Sequence, residues 1–199
     1  MLPSNDTHAL AAPSDWVRRW SHLAKPQGQV LDIACGQGRH MAWFASLGMQ
    51  VTGIDRSSEA VESAGRFGAG IQADIENSPW PLMQDGLQAA KPRPFDVVVV
   101  TNYLWRALFP LILQSVAPGG LLLYETFAVG NETLGKPSRP DFLLQPEELL
   151  RVCEGWHVVA YENGFLPDPE RLVQRIAVIA PPGNSGESRV PSRYPLSLK

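Results

Sequence analysis

The residues of this chain that could do chemistry stand at the ends of short apolar runs. Val30 to Ala34 carries Asp32 and leads into Cys35-Gly36-Gln37-Gly38-Arg39-His40; Val51 to Ile54 leads into Asp55-Arg56; Gly70 to Ala73 leads into Asp74-Ile75; Phe95 to Val100 leads into Thr101-Asn102-Tyr103-Leu104. Gly36 and Gly38 permit a tight turn and close backbone approach to a ligand, and the helix start behind them offers free N–H groups. Asp55 is an acceptor suited to two vicinal ribose hydroxyls, and Asp74 one suited to an exocyclic amine. Three polar groups at three consecutive strand ends suit a nucleoside. Asp32 says which kind: a loop holding a pyrophosphate avoids a neighbouring carboxylate, because like charges repel. The ligand end beside Asp32 is therefore expected to be cationic, and the α-amino group and sulfonium of S-adenosylmethionine meet that requirement.

The elements that must position these groups alternate. Asp15 is expected to cap a short helix through His22, with Trp16, Val17 and Trp20 on one side. A strand over 30–34, a helix to about Leu47 stopped by Gly48, a strand over 51–54 and a helix capped by Ser57 or Ser58 follow. Gly70 to Ala73 is a short third strand. Residues 76–94 form an irregular connection with one helical turn near Leu87. FDVVVV, apolar and β-branched, reads as a strand covered on both faces. A helix is expected from there through Val116, with Pro110 in its first turn, ended by Ala117-Pro118-Gly119-Gly120. Leu121 to Thr126 is a fifth strand, 127–145 a long loop, and Pro146 opens a short helix to about Val152. Trp156 to Glu162 and Leu172 to Ala180 are separated by too few residues for a crossover, so they pair antiparallel. Strand–helix alternation predicts an α/β, Rossmann-like domain: a mostly parallel sheet with helices on both faces and an antiparallel last strand.

Bulk properties bound the function. At 199 residues the chain suits one domain, expected over 15–180 between a loose N-terminus (1–14) and a polar, breaker-rich tail (181–199). A net charge of −3 and a pI near 5.8 exclude a broad basic surface, which disfavours long duplex nucleic acid as a partner. The start of the chain does not read as a secretory signal, and the apolar runs are far short of a membrane span. Two widely spaced cysteines, Cys35 and Cys153, fit a reducing cytoplasm and form no metal-ligand pattern.

VLDIACGQGRH at 30–40, VTGIDRS at 51–57, ADIE at 73–76, FDVVVVTNYL at 95–104 and APGGLLLYE at 117–125 resemble, in order, the motifs of class I S-adenosylmethionine-dependent methyltransferases. The resemblance covers roughly residues 16–180 and implies a seven-stranded sheet. It implies that Asp32, Ala34, Gly36 and Gly38 surround the methionine end, that Asp55 holds the ribose, that Asp74 and the Ile75 backbone meet the adenine, and that Asn102 to Leu104 close the pocket. Cys35, Arg39, His40 and Arg56 complete the expected cofactor set. EELLRVCEGWHVVAYENG at 147–164 is most similar to small bacterial methyltransferases of the tellurite-resistance type, although the His-Arg pair of that group's active site has no counterpart in FLPDPERLVQR, where Glu170-Arg171 stands nearby.

Tyr103 and Arg106 are the candidate catalytic residues, placed where an acceptor would meet a methyl group; their bland readings are a helix-start contact and a surface cation. The acceptor expected is a small molecule. Methyl transfer is an in-line displacement in which the protein supplies proximity and alignment, with a general base needed only if the acceptor loses a proton. The loop 127–145, with Lys136, Arg139 and Asp141, is a lid or a plain connection. Cys35 reads as a small side chain that fits rather than a nucleophile. His40 reads as a contact to the methionine carboxylate or as first-turn packing, and His157 as structural. Trp16, Trp20 and Trp43 line a pocket or pack the first helix, and Arg18 and Arg19 form a solvated face or reach an acidic acceptor. A nicotinamide dehydrogenase would want glycine near position 41, which is Met41, and no acid beside the first glycine. An aminopropyl transferase and a non-catalytic cofactor-binding protein, both of the same fold, are competing readings.

The reading predicts micromolar binding of S-adenosylmethionine in calorimetry, abolished by Asp55→Ala or Gly36→Val. Heat with a dinucleotide and none with S-adenosylmethionine would overturn it.

Overall fold

The structure, a computed structural model, describes residues 10–84, 91–183 and 193–196. Seven strands form one sheet in the order β3-β2-β1-β4-β5-β7-β6: β1 Gln29–Ile33, β2 Gln50–Asp55, β3 Ala69–Gln72, β4 Phe95–Thr101, β5 Val116–Phe127, β6 His157–Pro167 and β7 Glu170–Ile179. β1 pairs in parallel with β2 and β4, β2 with β3, and β4 with β5. β7 runs antiparallel to both neighbours, as expected of the last strand.

Alternation along β4 explains why both faces need cover. Val97 and Val99 point to one face, where α1 (Asp15–Trp20), α2 (Arg39–Ser46) and α3 (Ser58–Ala64) lay Trp16, Phe44 and Ala64 against them. Val98 and Val100 point to the other, met by Ile112 of α4 (Phe109–Gln114) and Leu149 of α5 (Glu148–Val152). A strand buried on both sides cannot alternate apolar with polar, which is why FDVVVV is continuous.

Several expected boundaries move, each for a local reason. Ser14, not Asp15, caps α1, its hydroxyl accepting the Trp16 N–H at 3.1 Å. The helix expected through Val116 breaks into a 3-10 turn, Arg106–Leu108, and α4; Pro110 does sit in the first turn, but Val116 already pairs with Phe95 in β5. Ala117–Gly120 is a bulged excursion within β5, because the register jumps from Phe95↔Val116 to Val97↔Leu121. α5 begins two residues after Pro146, behind Glu147 in the left-handed region at φ 60°. Asn163-Gly164, expected in the connection between the last strands, lies in β6, so that connection shrinks to Asp168-Pro169. The helical turn expected near Leu87 lies outside the described residues.

Part of the expected loose N-terminus is docked. The Ser14 hydroxyl donates to Glu125 Oε1 at 3.1 Å, and the Trp16 indole donates to the Ile176 carbonyl at 3.1 Å. Glu125, 2% exposed, also takes Arg175 Nη1 at 3.2 Å; Arg175 donates through Nε to Glu162 at 2.8 Å, and Arg19 of α1 donates to Glu162 at 3.2 Å. The circuit leaves α1 and returns to it. Of the tail, Tyr194 packs its ring 4.9 Å from that of His157.

Gly38 sits at φ +85°, and a Cβ there would lie 2.8 Å from the Ala64 backbone of α3. Gly38→Ala is expected to cost about 1–3 kcal/mol in chemical denaturation, from the strained backbone and the clash together.

Candidate active site

α2 leaves β1 toward one face of the sheet and α4 leaves β4 toward the other, so the chain opens a crevice between the carboxyl ends of these adjacent strands. The crevice rests on strained backbone. Ala34 at φ +55° and Asn102 at φ +54° both occupy the left-handed region, at roughly 1–3 kcal/mol each. Their surroundings hold them: the Cys35 N–H donates to the Ile54 carbonyl at 2.9 Å, and the Asn102 N–H donates to the Glu125 carbonyl at 2.9 Å. Gly36, at φ +53°, donates its N–H to Asp55 Oδ2 at 2.8 Å. The Ser57 N–H donates to Oδ1 of the same carboxylate at 2.9 Å, so Asp55 is oriented before any ligand arrives.

Asp32 lies beneath the turn, 1% exposed, and neither carboxylate oxygen has a hydrogen-bond partner among the described residues. His40 Nδ1 stands 3.7 Å from Oδ2. The Ser14 N–H donates to His40 Nε2 at 3.2 Å, so in a neutral ring the proton is on Nδ1, facing Asp32. His40 is itself 1% exposed and packs at the helix start. A buried carboxylate without donors is costly, and a cationic ligand group beside it removes that cost.

Three cavities lie side by side along the crevice and share lining residues. One of about 280 Å³ is lined by Ala34, Asp55, Arg56, Asp74, Ile75 and Tyr103. A second, about 350 Å³, lies between Cys35, Gly36, Arg39 and His40 on one side and Leu10 and Ala11 on the other. A third, about 260 Å³, is walled by Tyr103, Leu104, Thr126, Phe127 and Phe142. Ala34 borders the first two, Asn102 the second and third, and Tyr103 and Phe142 the first and third. The expected cofactor residues thus come together along one trough, with Asp32 beneath it and Gly38 packed on α3.

The remaining expectations separate. Burial, with help from Asp32 and Asp55, pushes the Cys35 thiol up to about 12, so it is no nucleophile at neutral pH. The bond from the Asn77 side chain, joined by the Glu76 N–H, holds the Asp74 carboxyl below the usual range. Burial, reinforced by Glu76, raises the Tyr103 phenol, which therefore stays protonated, and its hydroxyl is buried with no partner among the described residues. Arg106 turns away from the trough to Glu148 and the loop carbonyls of Asp141 and Leu143. Trp16 and Trp20 are core, Arg19 pairs with Glu162, and Arg18 lies 3.7 Å from Asp15. Arg171 lies 3.9 Å from buried Glu125.

Phe127, Phe142 and Glu76 line the trough although the sequence did not single them out. Phe142 belongs to the loop suspected as a lid, and Glu76 ends the quoted ADIE motif; nothing in the residue types marked Leu10 and Ala11.

A family model described as a methyltransferase domain matches residues 6–165. A ubiquinone biosynthesis O-methyltransferase of Burkholderia thailandensis is 32% identical over 119 residues, 56% of this chain and 49% of that protein. The chain spans about half the length of the curated relatives it matches. Among solved structures, TehB of Haemophilus influenzae superposes with a TM-score of 0.69 at 18% identity, covering 87% of this chain and 64% of that one. A TehB-like S-adenosylmethionine-dependent methyltransferase of Corynebacterium glutamicum gives 0.56 at 19%, covering 83% and 86%. These two share the fold of this chain, in keeping with the motif resemblance.

Burial pushes the Glu148 carboxyl up, but its bonds to Arg106 and to the Gln145 N–H outweigh that and leave it below the ordinary carboxylate range. A depressed carboxyl stabilises the fold above its unfolded pKa, about 4.3, and the contribution fades as pH falls through the lower folded value. The stability gap between wild type and Glu148→Gln in urea titrations should therefore be full at pH 6 and shrink steadily below about pH 4; a gap independent of pH would contradict the pairing.

Proposed function

The chain belongs to the methyltransferase-domain family, and from that premise we propose that it transfers the methyl group of S-adenosylmethionine to a small-molecule acceptor. The observation that carries the proposal is Asp32, a buried carboxylate without hydrogen-bond donors at the head of the trough. The acceptors around the trough fit the cofactor: Asp32 beneath it for an ammonium, Asp55 for two ribose hydroxyls and Asp74 for an exocyclic amine, with no cluster of residues suited to a metal ion among the described residues. When bound, S-adenosylmethionine supplies a methyl group activated by sulfonium charge.

The rest is done by this chain. Asp32 faces the ammonium, with Ala34, Cys35, Gly36 and Gly38 shaping the turn and His40 standing 3.7 Å from Asp32. Arg39 faces the carboxylate end under Leu10 and Ala11. Asp55, oriented by two backbone N–H groups, takes the ribose; Asp74, Ile75 and Arg56 border the adenine; and Asn102, Tyr103 and Leu104 separate cofactor from acceptor. Tyr103 is the group of the catalytic pair that borders both cavities. As a neutral phenol it serves as a donor or a wall, not as a base.

The acceptor cavity is walled by Tyr103, Leu104, Phe127 and Phe142, which suits an apolar body and excludes water from the transfer. The names of the curated relatives make a hydroxyl oxygen the favoured acceptor atom. No helix among the described residues is long and apolar enough to cross a membrane. A cytoplasmic setting suits two free, buried thiols.

Methyl-labelled S-adenosylmethionine incubated with fractionated cell extract should deliver label to the small-molecule fraction. Asp32→Asn should weaken cofactor binding roughly ten- to hundredfold and abolish that delivery. Label confined to protein or RNA would overturn the acceptor class, and tight binding with no label in any fraction would favour a non-catalytic binder.

A further inference from the structure

The loop between β5 and α5 is pinned at two places. Asn131, 1% exposed, donates through Nδ2 to the Pro137 carbonyl at 3.1 Å and accepts the Leu172 N–H on Oδ1 at 3.1 Å. At the far end the guanidinium of Arg106 makes a four-point grip. It reaches both oxygens of Glu148, at 2.7 and 3.0 Å, and the carbonyls of Asp141 and Leu143, at 2.7 and 2.8 Å. Glu148 in turn accepts the Gln145 N–H at 2.7 Å.

Between the two gripped carbonyls lies Phe142. Its ring borders the cofactor cavity beside Asp74, the acceptor cavity beside Phe127, and an outer mouth beside Lys136 and Pro137. Arg106 itself follows Tyr103 by three residues, on the turn that leaves β4. One short stretch thus presents Tyr103 to the crevice and fixes the opposite wall. This arrangement makes the loop a preset wall rather than a free lid.

We propose that Arg106 is a positioning residue for the transfer: through its grip on the loop it sets Phe142 as the common wall of cofactor and acceptor, and so links the two binding events. The inference rests on the S-adenosylmethionine reading given above. A planar guanidinium fork reaches four acceptors at once, whereas an ammonium offers one centre of charge and cannot span them. Because one ring bounds both cavities, any shift of it changes both affinities, and the coupling is reciprocal.

The test is a double-mutant cycle on S-adenosylhomocysteine affinity, measured by calorimetry well below each variant's unfolding temperature. Phe142→Ala should weaken binding roughly tenfold, and Arg106→Gln by a similar factor. The double variant should bind no worse than Phe142→Ala alone, and Arg106→Lys should not restore affinity. Glu148→Gln weakens the same grip from the other side, by removing the charge that orients the guanidinium, and carries the test should Arg106→Gln fail to fold. Losses that multiply in the double variant, a Phe142→Ala that binds as wild type, or an Arg106→Gln that lowers the unfolding temperature without changing affinity would each overturn the assignment while leaving the cofactor reading intact. No binding of S-adenosylhomocysteine by the wild type would overturn both.

Discussion

Taking a carboxylate out of water costs several kcal/mol unless donors or positive charge stand against it, and the fold places Asp32 in that situation at the carboxyl end of β1. The surrounding geometry follows from keeping it there. β2 and β4 flank it in parallel, α2 starts at Arg39 beyond the glycine turn, and Ala34 takes up the left-handed conformation that lets the chain turn so tightly. Asn102 does the same on the neighbouring strand. Strain at two adjacent strand ends, with a buried acid beneath them, is the pattern of a site preorganised for a ligand.

Much of this was legible in the residues because it is local. Apolar runs announced β1, with Asp32 inside it, and β2 and β4, which lead into Asp55 and Asn102, and the Gly36/Gly38 pair announced the turn. The expectation of a cationic ligand end beside Asp32 rested only on its place before the glycines. Tyr103 lines the trough, but the contacts that Arg106 makes were not legible. Its four acceptors lie 35 to 42 residues onward, and no spacing rule connects a turn residue to the carbonyls of a distant loop. Phe142 was hidden for the same reason, since an aromatic in a proline-rich loop has no period to betray what it faces. The β5 boundary was missed because Pro118 and Gly119 signal a helix stop and a strand bulge equally well.

The ion circuit on the α1 face shows what local reading loses altogether. Glu125, Arg175 and Glu162 are unremarkable charges in the sequence and Arg19 reads there as a solvated face or a contact to an acceptor, yet Glu125 is almost fully buried and is satisfied from both Ser14 and Arg175. Buried pairs of this kind add little net stability but are expensive to half-remove. Their effect here is geometrical. They tie Ser14 and α1 to the sheet, and the segment before Ser14 borders the cavity beside Gly36 and His40, with Arg39 Nη1 3.4 Å from the Ala12 carbonyl.

That docking has a consequence for how the molecule comes into being. Ser14 meets Glu125 across 111 residues of chain, and Trp16 meets Ile176 across 160. A nascent polypeptide makes α1 early and β7 late, so the roof of the crevice cannot settle until its sheet partner has left the ribosome. Contacts of such long sequence separation slow folding. Throughout synthesis two of the largest apolar side chains in the protein, Trp16 and Trp20, are without their final packing, which marks this interval as the one in which the chain most needs protection from aggregation.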